Sequence, residues 1–180
     1  AEPGTRVQVS VVNDLDATVG GIKGFVEKYN EIVKFSNEQS KDPKQEQPGP
    51  LAGDASVRQV MRSLQTGMFP GGAPPGKFQN LSDIGISTNP KTGELNMDES
   101  KVRAALTDNY DSVANLFIRS KFGDGVAERI TQKIKELRDP GSGVLRSKMR
   151  GLDTIIKTQD KAIANKERQL GEKEKAIKRR

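Results

Sequence analysis

Residues 144–180 read VLRSKMRGLDTIIKTQDKAIANKERQLGEKEKAIKRR, a stretch without proline whose apolar residues climb a seven-residue ladder. Met149, Ile156, Ile163, Leu170 and Ile177 form the ladder, and Leu145 and Leu152 fill the intermediate rung near its start. A heptad keeps one narrow stripe in register along a helix, so the pattern asks for a second helix against it. At 1.5 Å per residue such a rod is about 55 Å long, well beyond an ordinary globular helix. Each apolar rung, if buried, is worth roughly 1.5–3 kcal/mol, enough in sum to hold a partner. Further along, Gln159, Lys166 and Lys173 occupy the intermediate rung and weaken the contact, as polar seam positions do when they set register or partner number. Near its start the stripe equally suits packing within its own domain. Toward Arg180 the neighbours are nearly all charged, which favours a seam between long helices.

Composition narrows the classes of function. Hydrophobic residues make up 33% of the 180-residue chain and aromatics 4%, too few for a large buried ligand site. Mean hydropathy is low, at −0.68, yet helical faces alternate clearly, so the chain reads as folded, helical and elongated. Cys, His and Trp are absent, which excludes the usual zinc sites, thiol nucleophiles and Ser-His-Asp triads. No catalytic, metal or cofactor-binding residue is assigned, and the chain is read as a non-enzyme. No apolar run is long enough for a membrane helix, and the N-terminus lacks a signal-peptide pattern.

The net charge of +6 is unevenly placed. Residues 141–180 hold 12 Lys+Arg against 5 Asp+Glu, while the other 140 residues hold 18 against 19. Within the rod, acids sit four residues before bases, Asp153 with Lys157 and Glu174 with Lys178, the pattern of a solvated, salt-bridged face. Nucleic-acid binding would want a module or stacking aromatics, and residues 144–180 have no aromatic. A basic coiled coil that binds nucleic acid is kept as a less favoured alternative.

In chain order, Val7, Val9 and Val11 predict a short strand with no partner strand nearby. Residues 1–12 are therefore expected to complete the sheet of a preceding, β-rich domain, and the chain reads as an excised piece of a longer protein. Asn13 or Asp14 then caps a first helix running to about Asn37, with a seam of Leu15, Val19, Ile22, Val26, Tyr29 and Val33. Gly20, Gly21 and Gly24 each cost about 1 kcal/mol within a helix, which close approach of another helix would offset. Pairing this seam with the terminal rod is the economical expectation. Residues 13–180 are accordingly read as one helical domain, with 144–180 as its coiled-coil helix.

A Pro-rich loop leads to a helix capped by Asp54, and a Gly/Pro loop follows. In that second loop Gly71, Gly76 and Lys77 match the spacing of a phosphate loop. Pro74 and Pro75 lack the N–H groups such a loop needs, and Phe78 stands where a hydroxyl should hold magnesium, so a nucleotide site is rejected. Ile84, Ile86 and Thr88, the turn 89–93, then Leu95 and Met97 predict a β-hairpin. Asp98 caps a helix that Asp108-Asn109 interrupts, and a further amphipathic helix ends at Asp139-Pro140-Gly141, which turns the chain back into the rod. The fold class is mainly α: an elongated antiparallel helical bundle or coiled coil, with a small β-hairpin and one N-terminal strand belonging to a neighbouring domain.

The segment Leu81-Ser-Asp-Ile-Gly-Ile86, then Gly93-Glu-Leu-Asn-Met-Asp98, Lys101, Ala105-Leu106, Asn109 and Leu116-Phe117, resembles the C-terminal part of the bacterial flagellar filament cap family, hook-associated protein 2. Phe25-Val26-Glu27-Lys28-Tyr29-Asn30, Gly53-Asp54 and the turn from Gly141 to Leu145 extend the resemblance over nearly the whole chain. It implies a secreted, extracellular structural protein at the filament tip, a ring-shaped homo-oligomer that helps flagellin fold and polymerise. Implied partners are further copies of itself, flagellin, and the flagellar export apparatus with its chaperone; no cofactor is implied. The alternative is another axial protein, a flagellin or a hook–filament junction component. The expected interface residues are Gly20 and Gly24 on the first helix, and Ile156, Ile163, Leu170 and Ile177 on the rod.

Overall fold

The computed structural model describes residues 13–40, 49, 51–69, 76–118 and 123–179. The strand expected at 7–12 and most of the phosphate-loop lookalike lie outside them. Five α-helices and one two-stranded antiparallel sheet make up the described chain, which divides into compact units at Thr131/Gln132.

In the first unit, α1 spans Leu15–Ser40. Asp14 caps it, its carboxylate accepting from the Ala17 N–H at 2.9 Å. The expected stripe is buried: Val19, Ile22, Val26, Tyr29 and Val33 are all under one-tenth exposed. Its cover comes from within the same unit, from α3 (Glu99–Phe117) and the hairpin strand β2 (Leu95–Met97), so no contribution from 144–180 is needed to fill it. Side-chain links follow the same path: Arg103 to Asp16, the Thr18 and Tyr110 hydroxyls at 3.1 Å, and Phe25 edge-on to Phe117 with centroids 6.2 Å apart.

Helix α2, Ala55–Gly67, starts at Asp54, whose carboxylate takes the Ser56 and Val57 N–H groups. Leu64 and Met68 are its buried anchors, while Val57, Val60 and Met61 are half-buried. The hairpin begins later than its alternation suggests. Leu81–Ile84 form a 3₁₀ turn, Gly85 takes φ +89°, and β1 runs only over Ile86–Thr88. The Asp83 carboxylate gathers the Gln79 and Asn80 N–H groups, and this local bonding outcompetes the strand at Ile84. The register pairs Ile86 with Met97 and Thr88 with Leu95.

Asp98 caps α3 through the Lys101 N–H, and Asn109 breaks its helical geometry with φ −156° and ψ 85°. Asn109 then caps the second half by accepting from the Ser112 N–H at 2.9 Å. Val102, Leu106, Val113 and Leu116 are nearly fully buried, so both halves of α3 feed the core. Helix α4, Val126–Arg138, adds Val126 and Ile130 to this unit.

In the second unit, α4 ends at a turn built on Asp139. Its carboxylate accepts from Gly141 and Ser142, and Arg150 donates to the carbonyls of Pro140 and Gly141. Helix α5 then runs from Val144 to Lys178 without interruption, about 52 Å at 1.5 Å per residue. None of its residues is buried.

Candidate assembly surfaces

No cluster of acidic side chains among the described residues has the makings of a metal site, and no described helix is long and apolar enough to cross a membrane. Lys77, the lysine of the phosphate-loop spacing, bonds Asp108 at 3.0 Å, and Phe78 packs into the core with its N–H on the buried Ser112 hydroxyl. Those two residues serve the fold. What remains is surface.

The six expected interface residues fall on two surfaces. Ile156, Ile163, Leu170 and Ile177 lie along α5 at 55–74% exposure, with Met149 and Leu152 continuing the ladder toward its start. Such a file of large apolar side chains in water is what a soluble monomer avoids. The charged pattern around it is also seen: Lys157 bonds Asp153 at 2.7 Å on the helix surface. Gly20 and Gly24 lie on α1, where no described residue of the same unit makes a close approach. A Cβ placed on Gly20, Gly21 or Gly24 meets nothing within 4 Å. The α1 glycines leave open backbone beside the buried stripe.

Charge on these surfaces is tuned only locally. Arg103 is pushed above its ordinary pKa by the hydrogen bond to Asp16, and Lys28 by that to Glu31. Asp139 is held below the usual carboxylate value by the Ser142 and Gly141 N–H groups it accepts. These are features of ion pairs and a turn, and none couples to a cleft.

Sequence reasoning missed one organising side chain. Asn30, on the α1 face that meets the sheet, donates to the Leu95 carbonyl at 2.8 Å and accepts from the Leu95 N–H at 2.7 Å. Its amide imitates a neighbouring strand along the edge of β2. The only local signal is an asparagine one step from the buried Tyr29.

Against known proteins, the family described as "Flagellar hook-associated protein 2 C-terminus" matches residues 1–180. The chain belongs to that family. It is 31% identical to the B-type flagellar hook-associated protein 2 of Pseudomonas aeruginosa, over 94% of this chain and 35% of the relative. The A-type protein of the same species is 33% identical over 86% of this chain and 32% of its own length. The flagellar hook-associated protein 2 of Salmonella typhimurium is 29% identical over 72% and 28%. The chain thus spans about a third of these relatives. Its fold is similar to that of the Escherichia coli flagellar cap protein FliD (domains D1-D2-D3), with a TM-score of 0.66 at 22% identity over 76% of this chain and 36% of that one. The chain is therefore of a flagellar protein family, with the mainly helical fold and small hairpin read from its sequence.

Proposed function

We propose that the full-length protein is a subunit of the flagellar filament cap, a secreted homo-oligomer at the filament tip that promotes flagellin folding and polymerisation. Membership of the hook-associated protein 2 family and the fold shared with a flagellar cap protein support this reading. The observation that carries it is the uncovered apolar ladder of α5, Ile156, Ile163, Leu170 and Ile177, on a helix with no buried residue. A protein built to assemble needs such a surface; a monomer is penalised by it. In this reading residues 13–180 are the leg, residues 1–12 supply a strand to a head domain, and Gly20 and Gly24 give a second place for a neighbour's backbone to approach. Export through the flagellar apparatus, with its chaperone, delivers the subunit, and flagellin is its working partner.

The test is genetic and structural together. A strain lacking the gene should export flagellin yet leave it unpolymerised in the medium, with bare hooks by electron microscopy. Complementation with full-length protein carrying Ile163→Asp and Leu170→Asp should fail to restore filaments although the variant is exported. Normal filaments in the deletion strain would refute the cap role; normal filaments with the double variant would refute the α5 interface.

A further inference from the structure

Helix α5 carries an ordered charge pattern beside its apolar ladder. Counted in heptads with Met149, Ile156, Ile163, Leu170 and Ile177 at position a, position d holds Leu145, Leu152, Gln159, Lys166 and Lys173. From Asp153 onward position e is acidic four times in succession, at Asp153, Asp160, Glu167 and Glu174. Position g, the opposite flank, is uncharged over the same span: Ile155, Ala162, Gln169 and Ala176. Because α5 is one unbroken helix these positions line up as rows, and every residue of row e is exposed.

The charges nearest the ladder are not answered within their own helix. A helical side chain meets those three and four positions away. For Lys166, Lys173 and Glu167 all of those neighbours are uncharged, and none of the three makes an ion pair with a described residue. Asp153, by contrast, bonds Lys157.

The rows discriminate between partners. Against a second α5 running antiparallel, row e faces row e, acid against acid along the whole contact. Against a parallel copy in the same register, row e faces the uncharged row g. Each d position then meets its own counterpart, with the partner's e position beside it: Gln159 by Asp160, Lys166 by Glu167, Lys173 by Glu174. A lysine placed there lays its stem along the seam and turns its ammonium outward to the partner's carboxylate. Register has its own marker in Leu152, which a slip of one heptad would set against Gln159.

We propose that the occupant of the α5 ladder is the α5 of a second copy, parallel and in register, with Lys166 and Lys173 bonded to the partner's Glu167 and Glu174. This pairing deepens the reading of α5 as a surface between subunits, and rests on it.

Full-length protein with a single introduced cysteine tests the orientation. Leu152→Cys and Ile177→Cys, made separately, should each form an interchain disulfide on mild oxidation, because positions a and d face their own copies. The two sites lie about 37 Å apart along the helix, so an antiparallel pair can bring at most one of them to its counterpart. Failure of either disulfide in protein that sediments as an oligomer would overturn the parallel pair and leave the cap reading standing. Protein that stays monomeric at every concentration would overturn the pair and the homo-oligomer together. Charge exchange tests the contacts. Lys166→Glu with Lys173→Glu, and separately Glu167→Lys with Glu174→Lys, should each raise the concentration needed for assembly about tenfold or more. Mixing the two variants in equal amounts should restore assembly at the parental concentration. Absence of rescue on mixing would overturn the lysine–glutamate pairing.

Discussion

At the scale of single residues, the hairpin's attachment to α1 depends on one amide. Asn30 gives and takes a hydrogen bond at Leu95, whose side chain is buried between the sheet and the helix. Asn30→Ala leaves a main-chain donor and acceptor partly buried without partners, which costs about 1–3 kcal/mol. Urea denaturation of the full-length protein should show the midpoint fall by a corresponding amount, and Asn30→Asp should not rescue it, because a carboxylate cannot donate to the Leu95 carbonyl. Asp139 makes a pH-dependent case. Hydrogen bonds from Ser142 and Gly141 lower its folded-state pKa from 3.8, so the turn is stabilised above that value and loses the contribution as pH falls through the lowered one. Asp139→Asn should therefore weaken the α4–α5 turn at neutral pH, seen as faster amide exchange at Gly141 and Ser142. The difference from the parent should shrink progressively below about pH 4. A gap that persists in strong acid would mean that shape rather than charge matters at this position.

Among elements, the signals that could be read were local ones. Asp54 and Asp98 mark helix starts because a cap needs only its next three residues, and Asp108-Asn109 marks the kink for the same reason. The α1 stripe was equally legible, but a stripe states that it needs cover without naming what provides it. The cover turned out to be α3 and β2, brought there by the Asn30 amide and the Arg103–Asp16 pair, neither of which has a sequence signature. Of the assembly surfaces, the heptad ladder of α5 was visible because its period is intrinsic to the helix. The late start of the hairpin shows how a turn overrides alternation, and it yields a prediction. Gly85 has φ +89°, and a Cβ there would lie 2.6 Å from the Lys101 Cβ. Gly85→Ala should cost about 1–3 kcal/mol from backbone strain alone, with more from the clash. Thermal unfolding of the variant should report it, whereas Gly20→Ala, at an open site on a helix, should be stabilising by up to about 1 kcal/mol in the same measurement.

For the whole molecule, the proposed cap role raises the question of how tightly one subunit should hold its neighbours. The ladder of α5 is apolar on one rung and polar on the next: Ile156, Ile163 and Leu170 alternate along the helix with Gln159, Lys166 and Lys173. Burying only the first set gives a contact that forms yet stays weak, because each lysine must keep its ammonium in water. Under the proposed cap role, flagellin would insert beneath a cap that stays attached, so the legs would have to shift without full dissociation. If the polar rungs supply that weakness, Lys166→Leu and Lys173→Leu together should strengthen the seam by about 1.5–3 kcal/mol per newly buried rung. Sedimentation of the full-length variant should then show the oligomer persisting at roughly a hundredfold or more lower concentration than the parent. Filament elongation on complemented cells should slow in parallel, with filaments shorter at equal growth time. A tighter oligomer with unchanged elongation would separate the two properties, and leg mobility would have to come from elsewhere than this seam.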